Sequence, residues 1–112
     1  MNINKDIFKK KFEFKHIYIN DLEETSAIYS FWFKDLSFPI YIGKTENLKR
    51  RMKEYFSGGH NYDLDNYLNN KKRRNHVYVR FFFCEIKELF KIEEKCIFFF
   101  NPKLNKDKPP MS

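Results

Sequence analysis

At 112 residues the chain has room for one ordinary domain and one site, since a sizeable core takes on the order of 100 residues. Its 42% hydrophobic and 20% aromatic content, led by 14 Phe and 7 Tyr, excludes a disordered chain despite 33% charged residues. Twenty-two Lys and Arg against 15 Asp and Glu give a net charge of +7, an excess that draws a protein towards phosphate-rich polymers and makes nucleic acid the default partner.

Residues 1–25 form a lysine-rich N-terminal extension without a chemical motif, within which Phe12 to Ile19 alternates as a strand would. The β-branched and aromatic run Ala27 to Phe33 predicts a strand. After a polar break at Lys34 to Ser37, the run Phe38 to Gly43 predicts its hairpin partner, with Pro39 at the start where no ladder donor is needed. Thr45 and Asn47 are candidate N-caps for a helix over Leu48 to Phe56, whose apolar face is Leu48, Met52, Tyr55 and Phe56 and which Ser57-Gly58-Gly59 ends. A second, polar helix is predicted over residues 63–73, finishing in Lys71-Lys72-Arg73-Arg74. Cations suit a helix C-terminus there, and a phosphate contact is an equal alternative. Val77 to Cys84 reads as the third strand and Glu88 to Phe100 as the third helix, stopped by Asn101-Pro102. Residues 106–112 read as a flexible tail.

Cys84 and Cys96 lack metal-ligand spacing and are expected to be reduced and buried. No charged-then-apolar leader opens the chain, and its apolar runs are too short to span a bilayer, so a cytoplasmic protein without membrane contact is expected. His16, His60 and His76 are too scattered for a zinc site, and the motifs of P-loop NTPases and serine hydrolases are absent.

Two charged residues stand out against this frame. On the third helix, Leu89, Ile92, Cys96, Ile97 and Phe100 form an inward stripe, and Glu93 falls inside it, whereas Glu94 turns outward with Lys91 and Lys95. An ionised carboxylate aimed at a core needs a cation, a metal or hydrogen bonds, because burial without them costs several kcal/mol. On the first helix Arg51 borders the apolar face, side by side with Tyr55, while Arg50 lies opposite. Arg51 suits a phosphodiester clamp, or it is the salt-bridge partner of Glu93. Gly43, just before Lys44, suggests a close backbone approach.

These residues fall into an order that resembles the GIY-YIG nuclease family. Ala27-Ile28-Tyr29, followed after eleven residues by Tyr41-Ile42-Gly43, is similar to the paired tripeptides that name it. Lys44 sits where members often carry a lysine, and Asn47-Leu48-Lys49-Arg50-Arg51 resembles their N-L-x-x-R segment, which matches Arg51 to the catalytic arginine. Tyr55 matches the His or Tyr found four residues later, Glu93 the metal-binding glutamate, and Asn105 the asparagine that closes the domain. The clear departure is Ala27 in place of the first glycine, which removes no catalytic atom.

The resemblance implies an α/β (α+β) domain over residues 26–105, with a three-stranded antiparallel sheet flanked by helices and the active site on one sheet face. It implies a metal-dependent endonuclease hydrolysing phosphodiester bonds, with Tyr29, Tyr41, Arg51, Tyr55 and Glu93 catalytic and Lys44 and Asn105 at the substrate. Glu93 would anchor one divalent ion, Mg²⁺ or Mn²⁺. Tyr41 would orient or deprotonate the attacking water, with Lys44 and the ion favouring its ionisation, while Arg51 offsets charge growing on the phosphoryl oxygens. DNA is favoured over RNA as partner, with a homodimer or a partner subunit as a source of specificity, because the chain ends seven residues after Asn105. Relatives serve in repair, resolution of branched DNA, restriction and the homing of mobile elements. The competing readings are a degenerate domain that binds without cutting and a small basic RNA- or DNA-binding module that stacks bases on its aromatics.

Overall fold

The computed structural model describes residues 2–58, 64, 66, 68 and 76–105. In chain order the elements are β1 (Lys10–Glu13), α1 (His16–Ile19), β2 (Ala27–Phe33), β3 (Tyr41–Thr45), α2 (Leu48–Ser57), β4 (Val77–Phe83) and α3 (Leu89–Phe100). Single 3-10 turns cover Ile86–Glu88 and Lys103–Asn105. Leu64, Asn66 and Leu68 are also helical, and the basic run Lys71 to Arg74 lies outside the described residues.

One antiparallel sheet of order β1-β4-β2-β3 organises the chain. It has four strands where the resemblance implies three, because the N-terminal extension supplies β1, in register with β4 through Lys11↔Arg80 and Glu13↔Tyr78. The strand expected over Phe12 to Ile19 breaks at Lys15, and His16–Ile19 turns into α1 to bury Ile19. Alternation over so few residues cannot separate a strand end from one turn of helix.

The pleat sends alternate residues of each strand to opposite faces, and each face has its own core. Ala27, Tyr29 and Phe31 of β2 and Tyr41 of β3 pack with Leu48, Met52 and Tyr55 of α2 and with Leu64 and Leu68. Ile28 and Trp32 of β2 and Ile42 of β3 pack with Leu89, Ile92 and Cys96 of α3 and with Phe8. The helices start and stop where local chemistry dictates: the Asn47 side chain accepts from the Arg50 N–H, α2 ends at Gly58 with φ 77°, and α3 ends at Asn101 with φ 47°, before Pro102. Both cysteines are free, with Cys96 buried as expected; Cys84 is only half-buried because β4 ends beside it. No helix among the described residues is long and apolar enough to cross a membrane.

β3 is the edge strand, and the segment after α3 closes it. The Asn105 carboxamide accepts from the Ile42 N–H at 2.7 Å and donates to the Ile42 carbonyl at 2.8 Å, while the Leu104 N–H reaches the Ile40 carbonyl at 3.0 Å. A side chain thus satisfies both outward main-chain groups of a buried edge residue, which would otherwise cost about 1–3 kcal/mol each.

The extension is built into the second core through Phe8, 1% exposed, whose ring meets Phe82 at 5.2 Å and Phe100 at 5.5 Å. Phe8→Ala is expected to lower unfolding free energy by about 3 kcal/mol, measured by chemical denaturation. A loss within 0.5 kcal/mol would mean that the extension is not part of the folded unit.

Candidate active site

Tyr29 on β2 faces Gly43 on β3 in direct register. A methyl placed on Gly43 would run into the Tyr29 hydroxyl and Cζ and come within 2.9 Å of Cε1, so the tyrosine ring lies flat across the glycine. This gives Gly43 a cause: only a residue without a side chain lets the ring cross β3 and carry its hydroxyl towards the sheet edge.

A buried tyrosine hydroxyl requires partners, and Tyr29 has them. Its oxygen is 2.7 Å from the Tyr55 hydroxyl on α2, which also hydrogen-bonds Tyr41, and the Arg51 guanidinium hydrogen-bonds Tyr29. Three tyrosines and one arginine from β2, β3 and α2 therefore form a single network, with Tyr29 and Tyr55 at most 1% exposed and Tyr41 at 6%. Burial first, then Tyr41 at Tyr29 and both Tyr29 and Tyr41 at Tyr55, pushes Tyr29 and Tyr55 well above the ordinary tyrosine value; at Tyr29 the hydrogen bond with Tyr55 and then Arg51 offset this only in part. Both stay neutral at physiological pH, as hydrogen-bonding groups and not as bases. Burial alone would lower Arg51, but the Tyr29, Tyr55 and Glu54 oxygens outweigh it, so Arg51 is a permanent cation. It pairs with Glu54 at 3.0 Å, one turn along α2.

The second group lies on the other pleat of β3. Glu93 is 6% exposed on the inward side of α3, as the helical stripe predicts. Lys44 of β3 places Nζ 3.4 Å from its Oε1, a hydrogen-bonded ion pair in which the lysine is 39% exposed. The exposed ring of Phe90, one turn before Glu93, lies 5.6 Å from the same ammonium. Sequence reasoning missed Phe90 because it falls outside the inward stripe. Cys96, one turn after Glu93, has its thiol pushed up to about 12, by burial first and by Glu93 second, so it is protonated at neutral pH.

Among the described residues no three His, Cys, Asp or Glu converge as a metal cage. A single buried carboxylate beside a flexible lysine instead fits a hard ion that keeps most of its waters and shares phosphate oxygens with a substrate, as Mg²⁺ and Mn²⁺ do. Zinc would require nitrogen or sulfur donors, which this position lacks.

The structure thus gathers Tyr29, Tyr41, Tyr55 and Arg51 on one side of β3 and Lys44 with Glu93 on the other. The resemblance implies a single sheet face; alternation along β3 distributes the groups around the sheet edge instead, with Tyr29 reaching over Gly43 towards it. Asn105 is 4% exposed, with its amide committed to Ile42 between Tyr41 and Gly43. No residue pattern signals that contact, because its partner is main chain.

A family model described as the GIY-YIG catalytic domain matches residues 25–105. Among solved structures, the GIY-YIG N-terminal endonuclease domain of UvrC from Thermotoga maritima, bound to magnesium as its catalytic divalent cation, is 23% identical. The match covers 80% of this chain and 92% of that one, with a TM-score of 0.60. A point mutant of the same domain, also bound to the divalent cation, gives 22% identity, 78% and 89% coverage and a TM-score of 0.58. At this identity the likeness establishes the fold. No curated protein sequence matches.

Gly43→Ala is expected to destabilise the chain by about 1–3 kcal/mol, because β3 or the Tyr29 ring must move, and chemical denaturation reads it. A neutral substitution would show that the ring does not lie across Gly43. The raised tyrosines set a pH dependence. Above the unfolded tyrosine value of 10.0 the folded state binds more protons than the unfolded state, so stability must fall as pH rises through that range. Cys96 adds the same sign from its unfolded value of 9.0 upward. The urea midpoint should hold level through neutral pH and decline above about pH 9. A midpoint that stays level beyond pH 10 would contradict the burial of these hydroxyls.

Proposed function

The chain belongs to the GIY-YIG family and carries its nuclease domain, and from that premise we propose a metal-dependent endonuclease that cuts DNA around the β3 edge. The observation that carries this reading is a buried carboxylate, Glu93, met by Lys44 on the same strand whose other pleat joins the tyrosine–arginine network.

In this proposal Glu93 holds one divalent ion, Mg²⁺ or Mn²⁺, which when bound supplies Lewis-acid stabilisation of the phosphate. Lys44, already within 3.4 Å of Glu93, swings to a phosphate oxygen as the substrate arrives, which its long, half-exposed stem permits. Arg51, fixed by the Tyr29 hydroxyl, presents a planar, permanently charged fork to the phosphoryl oxygens and offsets charge that grows there during attack. Tyr29 and Tyr55 stay protonated, orienting Arg51 and Tyr41. Tyr41 is the most solvent-reached of the three and carries the remaining role: its hydroxyl orients the attacking water and is the candidate acceptor of its proton. Asn105 positions β3 through Ile42 and does not need to touch the substrate.

Net charge of +7 supports a polyanionic substrate, and a duplex presents a denser array of phosphates than a single strand. A homodimer or partner subunit would supply a second cut where both strands are broken.

Nicking of supercoiled plasmid tests the proposal. The wild-type chain with Mg²⁺ should nick, and chelator or Glu93→Gln should each reduce nicking by at least about 100-fold while leaving DNA binding and folding in place. Nicking that survives both treatments would remove Glu93 and the ion from the reaction. Binding without nicking by the wild-type chain would favour the degenerate reading.

A further inference from the structure

A second cationic surface lies away from this site. Arg80 on β4 sits beside Trp32 on β2, with its guanidinium 5.0 Å from the Trp32 ring and 5.4 Å from the Tyr78 ring. Trp32 and Tyr78 are cross-strand partners whose rings stack at 6.2 Å and 19°. Lys11, opposite Arg80 on β1, places its ammonium 5.9 Å from the Tyr78 ring. Lys34 lines the same cleft with them.

The arginine is what makes this more than packing. Its buried Nε has no hydrogen-bond partner among the described residues. A guanidinium has five donors in a fixed fork, and here two aromatic rings hold it. That arrangement fixes the orientation of the guanidinium in advance and leaves its Nε without an acceptor among the described residues. The one carboxylate lining the cleft, Glu13, is engaged by Lys15 at 3.0 Å and by Lys34 at 3.8 Å, and the Lys15 hydrogen bond first, then its charge, holds it below the usual glutamate value. Among the described residues lining the cleft the cations therefore exceed the acid, and the most rigid of them has an unsatisfied donor.

We propose that Lys11, Lys34 and Arg80 form an exosite for the phosphodiester backbone of nucleic acid, with Tyr78 as a flanking aromatic surface. The inference rests on the nuclease reading for the identity of the polyanion and names the surface that holds it outside the active site. Arg80 lies on the same sheet face as Lys44, two strands across and two residues along, roughly 12 Å at ordinary strand spacings. That is well under one turn of duplex, about 34 Å, so one molecule of substrate spans both. The α3 helix packs over β2 and β3 on this face, which makes the exosite a separate foothold and not an extension of the active site. Its β1 side comes from residues before the matched family region, so this foothold joins the extension's Lys11 to Lys34, Tyr78 and Arg80 of the family region.

The test is binding of a fluorescein-labelled 30-base-pair DNA duplex in chelator, by anisotropy across a salt series, to the full chain and its variants. Lys11→Gln with Arg80→Gln should weaken binding roughly tenfold at moderate salt and reduce the slope of log K against log salt by about two, one per lost phosphate contact. Arg80→Lys, which keeps charge but not the planar fork, should fall between. If Arg80→Gln fails to fold by circular dichroism, Lys11→Gln with Lys34→Gln, both surface side chains, carries the same prediction. Unchanged affinity and slope in a folded double variant overturn the exosite. Binding in chelator needs no turnover, so failure of the nuclease reading registers separately, as a wild-type chain that binds this duplex but never nicks.

Discussion

The tyrosine ring of Tyr29 lying across Gly43 is the contact on which the site depends. It exists because β2 and β3 pair in one register, and a shift of one residue would turn Tyr29 to the opposite face. From that position the hydroxyl meets Tyr55 and Arg51, so α2 is held against the sheet by polar contacts in an otherwise apolar core. Such a network is costly if half satisfied and rigid if complete. Here burial keeps Tyr29 and Tyr55 protonated and the tyrosine oxygens keep Arg51 charged, which fixes the protonation states before any substrate arrives.

β3 then acts as the common carrier. Tyr41 and Gly43 belong to one pleat and Lys44 to the other, and Asn105 secures the strand at Ile42 between them. Glu93 approaches from α3, with its burial offset by a lysine that is itself only partly withdrawn from water. A buried carboxylate paired with a fully buried arginine would form a closed structural bridge; paired with Lys44 it stays available for exchange of partners. This is why the proposed chemistry can gather at an edge strand: the groups fixed by burial are the tyrosines, and the group free to move is the lysine.

The N-terminal extension has a structural part as well as a proposed binding one. Phe8 enters the α3 core, and β1 covers the edge of β4 that would otherwise be open. Adding β1 also brings Lys11 beside Arg80 and Tyr78, creating the cationic cleft. Aromatic residues used throughout for packing are used there to hold a cation.

The central strands, the α2 and α3 helices, the paired tripeptides, the inward direction of Glu93 and the place of Arg51, not Arg50, at the border of the core were legible in the residues alone. These follow from local periodicity, capping residues and motif order, which a linear chain displays directly. The sequence did not determine the bounds of the strand in the extension, its place beside β4 or the turn of helix at His16–Ile19, since these depend on which distant element covers them. Nor did it show that Lys44 meets Glu93, that Asn105 spends its amide on Ile42, or that Arg80 lies against Trp32 and Tyr78. Those pairings join residues from different strands and helices, and only the tertiary register sets which side chains come within hydrogen-bonding distance.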